Sequence, residues 1–389
     1  MATVPGVLAF SYFFASVFFA LLGLQSQPQN RPFLFIPHAL FGALAFRRIT
    51  DVTTQPAHAS MIGMFFCVWI AHMSYVLCLS GSNHHPPVSE WDWHRAYKIC
   101  WNVRWVGTAH EAPSNTGRPR TVPPTTTPGT DPSQEQPPSV SRSQKDSSTR
   151  RIFLLKRLLS IATIYGINML YEHTLRTLSQ FQPTDFSPPK QSYLRRLHAV
   201  STRESILRAI LVLNFVWTSW ALISAYHRAL SVFFVALALD QPHEWPTLYG
   251  SPWEMYSVRR FWGRFWHRST FRTYTGYGNL VAEKALRLRR GTATHKICVE
   301  FVVFFVSGVT HALTTRTLGF RAGHWEDIAW FCANFAAILL ETAVRSLVRR
   351  VWGETSDRVG KGVGALWLFA FFFWSLPKTQ FTKIYNGTV

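Results

Sequence analysis

The apolar run "CVEFVVFFVSGVTHALTT" at residues 298–315 contains two ionisable side chains. Glu300, Phe304, Ser307 and His311 follow one another at offsets of four, three and four residues, so they share one face of a predicted helix. Because a charge at the centre of a membrane costs at least about 2.5 kcal/mol, such residues are functional candidates. His311 lies beside the small residues Ser307 and Gly308, which leave room for a ligand close to the backbone. The alternative interpretation is a hydrogen bond from His311 to a neighbouring helix.

A second stretch, "FWGRFWHRSTFRTY" at residues 261–274, is too charged to cross a bilayer and unusually aromatic. At about 100° per residue, a helix would place its aromatic side chains on one arc: Phe261, Trp262, Phe265 and Trp266. The opposite side would carry Arg260, Arg264, His267 and Arg268. This pattern predicts an amphipathic helix, either as an anchor attracted to anionic lipid or as a row of cations at the mouth of a membrane domain.

The composition of the chain indicates the scaffold that must hold these two stretches. Of its 389 residues, 48% are hydrophobic and 15% aromatic, and 40 Lys and Arg face 20 Asp and Glu. The excess of +20 would suit a nucleic-acid partner. However, the basic residues avoid the long apolar runs and crowd the segments between them, as the positive-inside rule expects. We therefore predict a membrane protein without a nucleic-acid partner.

The apolar runs predict an all-α polytopic membrane protein with about seven to nine transmembrane helices and additional interfacial amphipathic helices. Clear spans are predicted near residues 4–24, 61–80, 152–171, 297–315, 327–347 and 362–376. Residues 33–46 form a shorter run, and 206–239 predicts either one tilted helix or a pair interrupted around Tyr226, His227 and Arg228. The first span has no basic segment before it, so we interpret it as a retained helix.

We predict a single integral membrane domain over residues 1–389. Within it, residues 108–150 are rich in Pro, Ser and Thr and predict a disordered polar loop. The Trp-rich and basic segment before that loop predicts an interfacial helix. Residues 241–296, which carry the FWxxxWH helix, have the strongest basic bias and predict a cytosolic loop. If 206–239 crosses once, the basic segment 81–150 lies on the same side.

No metal site is expected from the sequence. The chain has five cysteines, at positions 67, 78, 100, 298 and 332, without a CxxC pair. This spacing supports neither a disulfide framework nor a zinc site. His84 and His85 precede two prolines and are interpreted as part of a solvated turn.

Two motifs together carry a family resemblance. "EWPTLYGSPWEMYSVRRFWGRFWHRSTFR" and the later "FFVSGVTHAL" resemble the wax-synthase-like branch of the membrane-bound O-acyltransferases, particularly fungal members of terpenoid and meroterpenoid biosynthesis. The resemblance covers residues 245–315. Elsewhere it is limited to hydropathy and to the segment "NVRWVGT" after Trp101.

The resemblance implies roles for particular residues. His311 lies at the position of the family's catalytic histidine, and His267 lies at a second signature position where many relatives have Asn or Asp. Tyr249 stands where Phe is more usual. The implied reaction transfers an acyl group, here acetyl from acetyl-CoA, to a hydroxyl of a hydrophobic terpenoid-type acceptor. The implied setting is an integral membrane enzyme beside membrane lipid, which we expect in the endoplasmic reticulum.

The residues suit that chemistry. His311 would take the proton of the alcohol, and His267 would stabilise the developing oxyanion. Because no GxSxG-like nucleophile elbow is present, we expect direct attack in a ternary complex. We expect Ser307, Trp262 and Trp266 to line the substrate pocket. The phosphates of coenzyme A would be bound by Arg260, Arg264 and Arg268.

Three alternatives stay open at this point. Within the enzyme class, the main alternative is a long-chain wax-ester synthase, because the length of the acyl chain depends on tunnel dimensions that the sequence does not show. A transporter would also place polar residues at the midplane, although no inverted repeat is evident. A third possibility is an inactive membrane scaffold that has kept the fold.

Overall fold

The computed structural model describes residues 4–79, 92–104, 106, 140–320, 324–353 and 356–388. These residues are helical or irregular and contain no strand. The all-α prediction is therefore confirmed for this part of the chain. The predictions for His84 and His85 and for residues 108–139 lie outside the described residues.

The described ranges contain twelve α-helices: α1 Val4–Gln25, α2 Arg31–Arg47, α3 Ile49–Val52, α4 Pro56–Ser74, α5 Trp93–Trp101, α6 Val140–Ser179, α7 Thr202–Ala236, α8 Val258–Arg260, α9 Phe271–Leu280, α10 Ala293–Thr317, α11 His324–Trp352 and α12 Asp357–Thr388. Three of them continue into a π-helical turn: α4 through Tyr75–Leu79, α8 through Phe261–Phe265 and α9 through Val281–Ala285.

Seven of these helices are long and apolar enough to cross a membrane. They are α1, α4, α6, α7, α10, α11 and α12. The count agrees with the lower end of the predicted seven to nine. The run at 206–239 forms the single helix α7, which extends without interruption past His227. The protein is thus an all-α polytopic membrane protein.

Helix α6 begins at Val140, inside the segment 108–150 that the sequence predicted as disordered. The prediction is therefore wrong for residues 140–150. Polar residues of that composition do not bury enough surface to fold alone. Here they prolong an adjacent spanning helix, so they need no nucleation of their own.

Two hydrophobic clusters divide the bundle. The N-terminal cluster is built from α1, α2, α4 and α5 and includes Leu24, Ile49, Phe66, Trp69, Met73 and Cys100. The C-terminal cluster is built from α7, residues 248–266 and helices α10 to α12, and includes Val258, Phe261, Phe265, Trp266, Phe304, Phe331 and Phe372. Both stretches with candidate chemistry lie in the C-terminal cluster.

Helix α5, which belongs to the basic segment 81–150, contacts the start of the basic segment 241–296 at one end of the bundle. The Nζ of Lys98 lies 2.5 Å from an Asp240 oxygen and 2.8 Å from a Glu244 oxygen. Arg104 donates to the Thr247 carbonyl at 3.2 Å. The chain just before the long polar segment therefore lies at the same end as the start of residues 241–296. That this end is cytosolic stays a prediction.

Candidate active site

The segment that carries His267 is shorter as a helix than the sequence predicted. Ser257 caps α8 by accepting a hydrogen bond from the Arg260 N–H at 3.2 Å. The π-helical turn then closes with the Trp266 N–H donating to the Phe261 carbonyl at 2.7 Å. Trp266 is extended, with ψ 151°, so the helix ends at Phe265. His267 follows on irregular chain, and the expectation of one helix over residues 261–274 is wrong.

A returning loop holds this end in place. The Gly250 N–H donates to the Phe265 carbonyl at 2.8 Å. Tyr249 packs edge-on against His267, with ring centroids 5.7 Å apart, and also contacts Trp266. Tyr249, at the position where the family resemblance implies Phe, therefore contacts the candidate histidine directly.

His311 is positioned by the contact between α10 and α11. A Cβ at Gly308 would lie 2.8 Å from the Ile328 Cα, so only glycine permits this approach one turn before His311. As a result, the His311 ring stacks on Phe331 with centroids 4.8 Å apart. On the other side of the helix, the Tyr274 hydroxyl hydrogen-bonds to Thr310 at 2.8 Å.

The structure brings His267 and His311 together. Burial lowers the pKa of His267 to about 4, and the nearby His311 and Arg104 would act on it in the same direction. His267 is thus neutral at ordinary pH. Trp262 spans the space between the two segments, with its ring 5.4 Å from Trp266 and 5.8 Å from Phe331.

Neither histidine is used by the fold for hydrogen bonding. The Nδ1 of His267 is buried and has no hydrogen-bond partner among the described residues. His311 likewise makes no hydrogen bond to any residue in the described ranges. Buried polar groups are nearly always paired, so the unpaired Nδ1 of His267, near the partly exposed His311, indicates a place for a ligand.

An ion pair that the sequence did not reveal lies beside His311. Lys383 of α12 contacts Asp327 at 2.6 Å, and the Thr315 hydroxyl donates to the other Asp327 oxygen at 2.7 Å. Lys383 is within electrostatic range of His311. The contact joins three helices, so no spacing along the chain could have predicted it. Asp327 is neutralised by Lys383 and does not hydrogen-bond the imidazole.

The other polar residues of the predicted stripe have structural contacts. Glu300 pairs with Arg259 at 3.0 Å, and both are exposed. It lies eleven residues, about 16 Å along the helix, from His311, which excludes direct contact. Ser307 donates to the Val303 carbonyl of its own helix at 2.8 Å. Trp262 is held by a 2.9 Å hydrogen bond to Asn334, which is fully buried.

Residues 245–333 match the sequence profile of the Membrane bound O-acyl transferase family. The matched residues include both His267 and His311 and the aromatic wall between them. This part of the chain is therefore similar to the membrane-bound O-acyl transferases.

Several curated proteins that are similar to this chain are named acetyltransferases. Acetyltransferase atnC of an Arthrinium species is 27% identical over 61% of this chain and 54% of its own length. Acetyltransferase spyB of Aspergillus fumigatus is 29% identical over 55% of this chain and 34% of its own. Acetyltransferase ataH of Aspergillus terreus is 28% identical over 74% of this chain and 88% of its own. The chain thus spans about half of the first relative and a third of the second. No solved structure matches the chain.

Within residues 245–333, the three arginines predicted to bind phosphate differ in their surroundings. Arg260 pairs with Glu254 and lies 4.5 Å from the Tyr256 ring centroid. Arg268 donates to the Gly263 carbonyl. Arg264 is exposed and makes no hydrogen bond or ion pair within the described ranges. The row is therefore divided between the π-helical turn and the chain after it.

Proposed function

We propose that the chain is an acyl-CoA-dependent O-acyltransferase that transfers acetyl from acetyl-CoA to a hydroxyl of a terpenoid or meroterpenoid acceptor. The observation that carries the proposal is the meeting of two hydrogen-bond-free imidazoles, from separate segments, beside a wall of aromatic rings. The family match of residues 245–333 and the acetyltransferase names of the relatives support the reaction class.

His311 acts as the general base in this proposal. Its neutral imidazole takes the hydroxyl proton of the acceptor as the alcohol oxygen bonds to the thioester carbon. The carbon–sulfur bond then breaks, and the proton passes to the departing thiolate, so that an ester and free coenzyme A are formed. Asp327 lies next to this site but is occupied by Lys383, so the base works without a carboxylate partner among the described residues.

His267 stabilises the charge that develops on the thioester oxygen. Because its pKa is lowered to about 4, it is a neutral imidazole that can donate one N–H to that oxygen. Its contacts with Tyr249 and Trp266 fix the ring before substrate binds. Fixed donors stabilise a transition state without reorganisation.

The acceptor binds against the aromatic side of the site. The Trp262 ring lies between those of Trp266 and Phe331, and Ser307 lies one helical turn before His311. A wall of this composition suits a flat, hydrophobic molecule and offers few polar contacts. We propose that the acceptor reaches it from the lipid, in the membrane of the endoplasmic reticulum.

The arginine row, Arg260, Arg264 and Arg268, would bind donor phosphate at the rim of the candidate active site. Binding a phosphate through Arg260 would replace its ion pair with Glu254, whereas Arg268 gives one donor to the Gly263 carbonyl and keeps others. Arg264 has no such contact, so it can bind a donor phosphate without that loss.

The test is an assay of the protein in nanodiscs with acetyl-CoA and a panel of hydroxylated polycyclic terpenoids. We expect acetyl ester and an equal amount of free coenzyme A. Palmitoyl-CoA with a fatty alcohol is the comparison donor and acceptor. Ester from that pair alone would assign the long-chain wax-ester activity. Absence of product from every pair in folded protein would contradict the enzyme and favour a transporter or scaffold.

A further inference from the structure

The segment Tyr226, His227 and Arg228 remains unexplained by the proposed chemistry. It brings polar and charged side chains into the spanning helix α7, two turns before its end at Ala236, yet the helix does not break there. The His227 ring packs against Trp245, with centroids 5.2 Å apart. Such residues within a span need a partner or a ligand.

Three arginines from three different parts of the chain converge at this position. Arg104 follows α5, Arg157 lies on α6 and Arg228 lies on α7, and all three are within electrostatic range of His227. Arg157 donates to the Trp245 carbonyl at 2.6 Å, and Arg104 donates to the Thr247 carbonyl at 3.2 Å. Arg157 and Arg104 thus hold the backbone of residues 245–247, and the Arg228 guanidinium lies 5.8 Å from the Trp220 ring centroid, within electrostatic range of the same histidine.

The nearby carboxylates Asp240 and Glu244 do not neutralise Arg157 or Arg228. Asp240 and Glu244 are both bound by Lys98, and Asp240 also accepts from the Trp245 indole N–H at 2.9 Å. Arg157 and Arg228 are partly buried and form no ion pair with any described residue. Partly buried charges of one sign repel each other and lose hydration, so their convergence is costly without an anion.

The cluster leads toward the candidate histidines. Arg104 is within electrostatic range of His267 as well as His227. From Trp245 the chain continues to Tyr249, which contacts His267. Four residues of extended chain cover at most ~14 Å, which sets the scale of the distance between cluster and active site.

We propose that Arg104, Arg157 and Arg228 form a phosphate-binding site at the mouth of the active site, which holds the phosphates of the coenzyme A donor. The identity of the ligand rests on the proposed function; the chemistry of the site rests on the arginines. A guanidinium binds phosphate through paired, charge-assisted hydrogen bonds, and three of them suit a group with more than one negative charge. The headgroup of an anionic phospholipid shares this chemistry and is the other source that the test must separate.

The first experiment measures binding of radiolabelled coenzyme A to the protein in nanodiscs of zwitterionic lipid, without acceptor. The variants are Arg157→Gln, Arg228→Gln and the double variant, and Lys156→Gln is the matched control because it is exposed and adjacent on the same helix. We expect about tenfold weaker binding for each single variant, as for loss of a hydrogen bond to a charged group, and no change for the control. Arg157→Lys and Arg228→Lys keep the charge but lose the paired geometry, so they should recover part of the affinity.

The second experiment compares acetyl-CoA with S-acetylpantetheine, which has the thioester but no phosphate. The variants should raise the KM for acetyl-CoA with little change in kcat, and leave the KM for S-acetylpantetheine as in the wild type. Equal effects on both donors would overturn the site as a phosphate site. If no donor is used but coenzyme A binding depends on the arginines, the proposed function fails and the site stands.

Two further outcomes would also overturn the assignment to the donor. Wild-type affinity for coenzyme A in the folded double variant, together with weakened affinity in Arg264→Gln, would place the donor phosphates at the rim. Stabilisation of the wild type by phosphatidylinositol, lost in the double variant while coenzyme A binding is unchanged, would assign the cluster to a lipid headgroup.

Discussion

Two pairs of histidines lie in the two halves of the bundle, and they differ in their hydrogen bonds and in their burial. In the N-terminal cluster, His38 Nδ1 lies 3.1 Å from both the hydroxyl and the carbonyl oxygen of Ser16. His72 Nε2 donates to the Ile99 carbonyl at 3.0 Å. In the C-terminal cluster, neither His267 nor His311 hydrogen-bonds to any described residue.

Aromatic contact does not separate the two pairs, but burial does, because His38 and His72 are fully buried and His267 and His311 are only partly buried. His38 packs on Trp69 with centroids 4.8 Å apart, the same separation as between His311 and Phe331. An unpaired buried polar group costs about 1–3 kcal/mol, so a fold keeps it only where something offsets that cost. The Nε2 of His38 also lacks a partner, so the histidines that hold the bundle are distinguished by full burial together with a hydrogen bond from one ring nitrogen.

The largest expected effect comes from removing the proposed base. His311→Ala should lower kcat by about 10²- to 10⁴-fold, because general-base catalysis is lost, while affinity for coenzyme A stays close to that of the wild type. Steady-state kinetics and coenzyme A binding on the same nanodisc preparation measure both quantities.

Wild-type turnover in folded His311→Ala protein would break the comparison. The hydrogen-bond-free state of His311 would then be a packing feature, and its contact with Phe331 would be its whole role. His311→Gln is a useful second variant, since it fills more of the space and cannot act as a base at neutral pH.

A smaller effect is expected at His267, where the two substitutions should differ. His267→Ala removes the proposed oxyanion donor and should lower kcat by about 10²- to 10³-fold. His267→Asn keeps an N–H donor, as in many members of the resembling family, and should retain activity within about tenfold of the wild type. Parallel kcat measurements of the two variants test the donor role. Equal losses in Asn and Ala would instead indicate that His267 exchanges a proton.

The sequence predicted the spanning helices better than it predicted the site. Long apolar runs fix helices through local composition, and His311 was visible because it interrupts such a run. The sequence did not predict that the helix ends at Phe265. That end is held by a hydrogen bond from Gly250, which lies outside the helix, and helical periodicity does not reveal such a contact. The pairing of Asp327 with Lys383 and the approach of Arg104 to His267 join residues far apart in the chain, which periodicity cannot show.

The smallest effect on catalysis is expected at His72, which tests the other half of the comparison. His72→Leu introduces an apolar side chain of similar size. The Ile99 carbonyl and the nearby Thr273 hydroxyl then lose the imidazole as a hydrogen-bond partner. Stability should fall by about 1–3 kcal/mol, seen as a lower thermal unfolding midpoint in nanodiscs, while kcat per folded molecule stays unchanged. His173→Leu is the matched control because His173 is exposed on α6, and it should alter neither quantity.

If His72→Leu lowered kcat without lowering the midpoint, hydrogen-bond satisfaction would not separate structural from functional histidines in this bundle. The N-terminal cluster would then contribute to the reaction through Thr273 and its neighbour Tyr274, which bonds to α10 one residue before His311.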